Sequence, residues 1–402
     1  MKHDLKKYRE EVEQEHENIL EYWLNNTIDK QRTGFYGKID QDNKVYPDAP
    51  KGAILNGRIL WSFSAGYLHS PKEEYLVAAN RAFEYIRNTL FDREFGGVYW
   101  SVTADGKPLD SRKHLYSNAF ILYGLSEFFR ASRNEAAKHE AIVLYSTMVE
   151  HGYDKEYGGF FEGFTREWKD SKNVQLSLST ANEKKSMNTS LHVIEAFANL
   201  YIIWPDNKLK EQIRSLLVIF ADKIIDPQTG HQKLFFDERW NEIPPVILSY
   251  GHDIEAAWLL LETAVIINDK QMIDRFKEIS MKLALAGRKG LDTNAGGMWY
   301  ELDVATNHLN KDKHWWPQSE AMVGFFNAWE LSGNEQYLDD SINTWNFIKK
   351  YVLDKKHGEW YSGVTNEGSP MGPHEKVGLW KCPYHNSRAC LEISKRIMHL
   401  KA

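Results

Sequence analysis

Apolar positions recur with the 3.6-residue period of a helix along most of this chain. In NTSLHVIEAFANLYIIW (188–204), Leu191, Ile194, Ala198 and Tyr201 fall on one stripe. GHDIEAAWLLLETAVII, NAFILYGLSEFFRAS, SEAMVGFFNAWELSG and YLVAANRAFEYIRNTLF behave alike. Between the helical stretches a glycine is followed by alternating aromatics: TGFYGKI at Gly34, FGGVYWS at Gly96, YGGFFEG at Gly158, TGHQKLFF at Gly230, AGGMWYEL at Gly296 and KHGEWYSG at Gly358. The steps between these glycines are 62, 62, 72, 66 and 62 residues, the mark of a repeat architecture. The glycine predicts a tight turn and the aromatics a short strand, one arm of a hairpin linking helices. Each period holds two helices and a hairpin. Six such pairs predict an all-α (α/α)6 barrel, a toroid of inner and outer helices. A linear helical solenoid is the alternative, but its repeats run closer to about 35–45 residues. No Pro- or Ser-rich linker interrupts the chain, so residues 1–402 read as one domain.

Composition narrows the function classes. A net charge of −6 leaves no basic footprint for nucleic acid. No apolar run approaches the roughly 20 residues that span a bilayer. The stretch MKHDLKKYREEVEQEHENILEYW is charged from its first turn and lacks the apolar region of a signal peptide. The expectation is a cytoplasmic protein without nucleic-acid or membrane partners. If Cys382 and Cys390 share a helix they stand about 12 Å apart, beyond the roughly 7 Å a disulfide allows. Fourteen Trp and twenty Tyr suit either aromatic walls or a well-filled core.

Polar and aromatic residues gather at one end of alternate helices, in KGAILNGRILW, HLYSNAF, KSMNTSLHVIE, YGHDIE, HWWPQSEAM and LWKCPYHN. If those helices form the inner ring, all six clusters converge on one mouth of the barrel. Ordinary capping accounts for members such as Ser117 and Asn188, but not for His, Arg, Glu and Trp recurring together. His252 and Glu255 are i and i+3 on one helix face, as are His192 and Glu195. His385 heads the final cluster.

Four chemistries compete for these residues. Di-metal bundles use Glu-x-x-His with further carboxylates, whereas here the order is reversed and Arg58 and Lys381 crowd the cluster; no metal is expected. Cys382 as a nucleophile lacks a Cys-His signature, and Pro383 follows it directly. Glycoside hydrolysis needs two carboxylates flanking the bond, and Glu255 and Glu320 are the candidates. Proton transfer at carbon fits best. Two histidines near a reference pKa of about 6.5 can serve opposite faces of a carbon next to a carbonyl. Arg58 can stabilise an enediolate oxygen, and Trp316 and Trp380 can floor a sugar.

KGAILNGRILWSFS, YSNAF, SMNTSLHVIEAF, GHDIEAAWLL, HWWPQSEAMVGF and GLWKCPYHNSRACLE resemble the cellobiose 2-epimerases of the N-acylglucosamine 2-epimerase superfamily over essentially the whole chain. The resemblance implies an (α/α)6 barrel and cofactor-free epimerisation at C2 of the reducing-end sugar. It places the acid/base pair on His252 and His385, support of ring opening or of the intermediate on His192, and the substrate-facing arginine on Arg58. Glu255 becomes the helix glutamate, Trp316 and Trp380 the stacking rings, and Tyr116 and Asn188 the hydroxyl partners. Gly57 stands where Ala is commoner, a small-for-small exchange that puts little in doubt. The nucleotide-activated N-acyl branch matches less well, since no G-x-x-x-x-G-K-[ST] appears. The implied substrates are β-1,4-linked disaccharides, cellobiose and also lactose, acted on by a monomer or weak homodimer. Mannose/glucose epimerisation or aldose–ketose isomerisation remains open, as does a sugar-binding protein without activity.

Overall fold

The computed structural model describes residues 4–170, 183–372 and 374–400. Twelve α-helices form among them: α1 (Leu5–Asn26), α2 (Ala53–His69), α3 (Glu73–Tyr85), α4 (Leu115–Ser132), α5 (Glu135–Gly152), α6 (Met187–Ile203), α7 (Asn207–Ile219), α8 (Tyr250–Ile266), α9 (Lys270–Arg288), α10 (Trp315–Ser332), α11 (Glu335–Phe347) and α12 (Tyr384–His399). The even-numbered helices pack side by side from α2 round to α12, and α12 returns to α2. The odd-numbered helices lie outside them. This is the (α/α)6 barrel.

Burial explains the two rings. Every residue of α2 from Ala53 to Gly66 is buried, as is every residue of α4 from Leu115 to Phe129. A helix buried all round must lie inside. In α3 burial is confined to Tyr75, Ala78, Ala79, Ala82, Phe83 and the terminal Tyr85, so it covers the outside. The inner helices pack at close quarters. A Cβ on Gly57 would lie 2.7 Å from the Phe120 carbonyl oxygen, and one on Gly124 would lie 2.6 Å from that of Gly57. Gly57 is therefore not interchangeable with Ala here, because the obstacle is a neighbour's backbone. The close approach brings Arg58 of α2 to Tyr116 of α4.

The glycine motifs form turns, but the expected hairpins are minimal. Each turn closes with a single bridge, such as Phe91 to Val98 or Leu353 to Trp360. The aromatic arms instead pair with the segment that enters the preceding inner helix: Lys51–Gly52 with Ser101–Val102, Lys113–His114 with Gly163–Phe164, and Ile39–Asp40 with Glu375–Val377 at the closure of the ring. The strands therefore tie neighbouring repeats around one mouth. The turns have a further element that the sequence reading missed. An aspartate opens each, and in five repeats its carboxylate meets a buried lysine: Asp29–Lys51, Asp92–Lys113, Asp154–Lys185, Asp292–Lys313 and Asp354–Lys376, at 2.6–2.8 Å. Four of these lysines stand two residues before an inner helix. The ties fix the helix starts that carry the polar clusters. No helix among the described residues is long and apolar enough to cross a membrane.

Candidate active site

The six clusters meet at the mouth that the strands encircle. A cavity of about 630 Å³ opens there. Arg58, Tyr116, Asn188, His192, His252, Glu255, Trp316, Trp380 and His385 all line it. Each comes from the start of an inner helix or the loop just before one. The helical repeat sorts them into levels: Tyr116, Asn188, Trp316 and His385 are second residues of their helices, while Arg58, His192, Glu255 and Glu320 are sixth residues, one turn deeper.

The histidines have different partners. Nδ1 of His385 lies 2.7 Å from Glu320 Oε1, and Nδ1 of His192 lies 2.9 Å from Glu195 Oε2. Nδ1 of His252 lies 2.7 Å from the Ser249 hydroxyl oxygen. In each case Nδ1 is engaged and Nε2 is the nitrogen left over. Burial lowers all three imidazoles: His252 to about 3, His385 well below the usual range with the charges of Arg58 and Arg388 adding to the effect, and His192 despite its carboxylate. All three are neutral bases in this site. Trp316 stands beside both His252 and His385, with ring centroids 4.6 and 5.9 Å away.

Arg58 donates to the Tyr116 hydroxyl at 2.9 Å and to the Trp380 carbonyl at 3.3 Å. It also reaches Cys382 Sγ at 3.7 Å. Cys382 precedes α12 instead of sharing it with Cys390, and both thiols are free and buried. The Asn188 Oδ1 is buried without a partner, although its side chain lines the cavity. Ser117 behaves differently, donating to the His114 carbonyl as a cap does. Trp380 packs edge-on against Trp100 and Tyr116.

Arg388, which the sequence reading passed over, organises the floor. Its guanidinium donates to Glu255 Oε1 and Glu320 Oε1, both at 2.8 Å, and also to Glu195 and the Tyr384 hydroxyl. Glu195 and Glu320 are also the partners of His192 and His385, so one buried cation links the two imidazoles. Burial by itself would raise Glu195, but Arg388 and His192 outweigh it and bring it down to about 2. Glu255 is pushed well above the carboxylate range by burial and by Glu320. Arg388 lies three residues after His385, on the same helix face, and that spacing was the available signal. Glu255, Glu320 and His385 place one ligand atom each within 4.8 Å of one another, a candidate cation cluster. Arg388 already occupies both carboxylates, so this donor set does not suit a divalent ion. Of the two, Glu255 lines the cavity, while Glu320 is held by His385, Arg388 and Trp258 and does not, which fits the flanking pair of a glycosidase poorly.

Comparison with known proteins gives the family. The N-acylglucosamine 2-epimerase family model matches residues 34–389. The chain is 44% identical over 375 residues to a cellobiose 2-epimerase of Bacteroides fragilis, covering 93% of this chain and 95% of the relative. It is 37% identical to a cellobiose 2-epimerase of Dictyoglomus turgidum, covering 98% of this chain and all of the relative (100%). The solved cellobiose 2-epimerase of Spirochaeta thermophila superposes with a TM-score of 0.93 at 35% identity, covering 99% of this chain and 98% of that one. Fold and relatives together define an (α/α)6-barrel isomerase. The chain belongs to the N-acylglucosamine 2-epimerase family.

Proposed function

We propose that this carbohydrate 2-epimerase acts on the reducing-end glucose of β-1,4-linked disaccharides, converting cellobiose to glucosyl-mannose and lactose to epilactose without a metal or nucleotide cofactor. The observation that carries the reading is the placement of His252 and His385, from two different helices, both beside Trp316 and in one cavity with Arg58. Two neutral imidazoles on different helices can reach a carbon from opposite faces. After ring opening, one takes the C2 proton and becomes imidazolium, and the C2–H electron pair moves into the enediolate. The second imidazole, after taking a proton from solvent in the open cavity, delivers it to C2 on the other face with inversion. The first imidazolium releases its proton to solvent, so that protons balance over the turnover. The Glu320 carboxylate beside His385 is the group that can stabilise such a charge. Arg58 offers its cation to the enediolate oxygen. His192 supports ring opening, Trp316 and Trp380 stack on the sugar, and Tyr116, Asn188 and Glu255 take hydroxyls. A cavity of this size falls within the roughly 300–1,000 Å³ of small-molecule sites. The named activity of the relatives supports the disaccharide over a monosaccharide. A cytoplasmic monomer or weak homodimer completes the proposal.

The experiment uses chelator-treated protein with cellobiose, lactose and mannose in D2O, with products separated chromatographically. Glucosyl-mannose carrying deuterium at C2 is expected. Activity lost to the chelator and restored by a divalent ion would return the metal reading. Conversion of mannose alone would move the substrate to the monosaccharide, and inactivity on every aldose would leave a binding protein.

A further inference from the structure

The six glycine turns are not equivalent. Each opens on an aspartate (29, 92, 154, 226, 292, 354) whose backbone N–H donates to the carbonyl of the residue five places later. That fifth residue is glycine in four repeats: Gly34, Gly97, Gly159 and Gly297. A Cβ there would collide with an aromatic ring, Tyr85, Trp168, Trp240 or Phe347 respectively, at 2.4–2.8 Å. In the fourth repeat the position is His231 and in the sixth it is Glu359. These two repeats supply the inner helices α8 and α12, which carry His252 and His385.

Both exceptional side chains grip the neighbourhood of the histidine on their own inner helix. Glu359 adopts φ +63°, a left-handed conformation that a residue with a long side chain rarely takes. Its carboxylate accepts from Lys381 Nζ, Asn386 Nδ2 and Trp23 Nε1, each at 2.7 Å. Lys381 and Asn386 bracket Cys382–His385, so one carboxylate pins both ends of the segment that presents His385. Nδ1 of His231 donates to Asp253 Oδ2 at 2.6 Å, and Lys289 Nζ faces its Nε2 at 3.4 Å. The following residue, Gln232, donates its backbone N–H to Asp253 Oδ1 and its side-chain amide to the His252 carbonyl. The turn therefore holds His252 by its own backbone and by the residue after it.

We infer that His231 and Glu359 are positioning residues that fix His252 and His385, and that the glycine was given up in these two repeats to make room for them. The inference rests on the acid/base reading of that pair. A plain structural role is the competing account. In the fourth repeat Leu248 stands where the lysine tie would be, so His231–Asp253 also substitutes for that tie. In the sixth repeat the Asp354–Lys376 tie is present as well. Glu359 is thus an addition to a complete turn, and it gives the cleaner test.

The variants are Glu359→Gln, which keeps shape but loses the charge, and the double variant Glu359→Gly/Lys381→Met, which restores the repeat's glycine and leaves no unpaired lysine. His231→Gln probes the fourth repeat independently, should the double variant not fold. Each is checked by near-UV circular dichroism and thermal melting, then assayed for kcat, KM and C2 deuterium incorporation on cellobiose. Displaced catalytic groups can lose up to about 100-fold. The expected result is a fall of about 10- to 100-fold in kcat, matched by the rate of deuterium incorporation, with KM held within about threefold. Turnover and exchange per folded molecule within about twofold of wild type, with only the melting temperature lowered, would overturn the positioning role. Wild-type protein that incorporates no deuterium would fail the acid/base reading instead, so the two failures are separable.

Discussion

His385 Nδ1 lies 2.7 Å from Glu320 Oε1, and the same oxygen accepts from Arg388 at 2.8 Å. One carboxylate oxygen therefore sets the imidazole's tautomer while being held in place by a buried guanidinium. Glu320→Gln would keep the shape but weaken both contacts, and kcat is expected to fall by about 10²-fold with KM little changed. Replacing His385 or His252 by Ala should lose about 10²- to 10⁴-fold. The double variant should lose far less than the product of the two, since they act as one unit. Steady-state kinetics on cellobiose reads all three, and a folded His252→Ala enzyme with near-normal turnover would remove that residue from the mechanism.

Arg388 is fully enclosed by groups that need its charge. Arg388→Met leaves Glu195, Glu255 and Glu320 buried without their cation, a change expected to cost about 3–5 kcal/mol in stability. Urea unfolding checks it. A loss below 1 kcal/mol would mean that the carboxylates take up protons without strain.

Trp380 and Cys382 are two residues apart but should differ sharply. Trp380→Ala is expected to raise KM mainly, because stacking on a sugar is made in ground and transition states alike. Cys382→Ser keeps an acceptor near Arg58 and should retain most activity. A dead but folded serine variant would make the thiol a reacting group.

Gly57→Ala tests the close packing of α2 on α4. The added Cβ meets the Phe120 carbonyl at 2.7 Å, and the strain should destabilise by about 1–3 kcal/mol. Thermal melting measures it, and an unchanged melting temperature would show that the two helices can separate freely.

The pH dependence of stability has two opposed arms. Burial lowers His16 to about 3 from its ordinary 6.5, so below pH 6.5 the unfolded chain binds a proton that the folded chain refuses. Stability then falls as pH drops from about 6.5 towards 3, by up to about 1.4 kcal/mol per pH unit. Burial, with Glu162 nearby, raises Glu183 from 4.5 to about 8. Its contribution is complete below pH 4.5 and is lost as pH rises to about 8. His16→Leu should flatten the acid arm and Glu183→Gln the alkaline one, read as unfolding free energies from pH 4 to 8. Parallel curves for wild type and either variant would contradict the corresponding assignment.

Much of this molecule was legible before any coordinates. The six glycine turns and the stripes of Leu191, Ile194, Ala198 and Tyr201 imply helix pairs, since period and turn chemistry are local properties. The convergence of Arg58, His192, His252 and His385 on one mouth followed from the repeat. What stayed hidden depends on partners far along the chain. Arg388 reads as an ordinary helix residue until Glu195, Glu255 and Glu320 arrive from three other helices. The buried lysines look like solvated charges until the aspartate of the adjoining turn meets them, some 21–31 residues away in sequence. The role of Gly57 likewise needs the backbone of α4 to be seen.

The ring closes where α1 packs on α12 and Ile39 pairs with Val377. Tyr8 with Ser341, Trp23 with Glu359 and Trp360 with Glu15 join the same seam. His385 stands on α12, so the proposed acid/base pair is completed only by the last helix. A growing chain can stack α2 through α10 as each emerges, because those contacts are between sequence neighbours. It gains the second imidazole only when α12 arrives to be clasped by the helix made first. Loop-closure entropy rises only slowly with length, so this late clasp costs little more than a short one. On the proposed mechanism, catalytic competence therefore waits for this one closure.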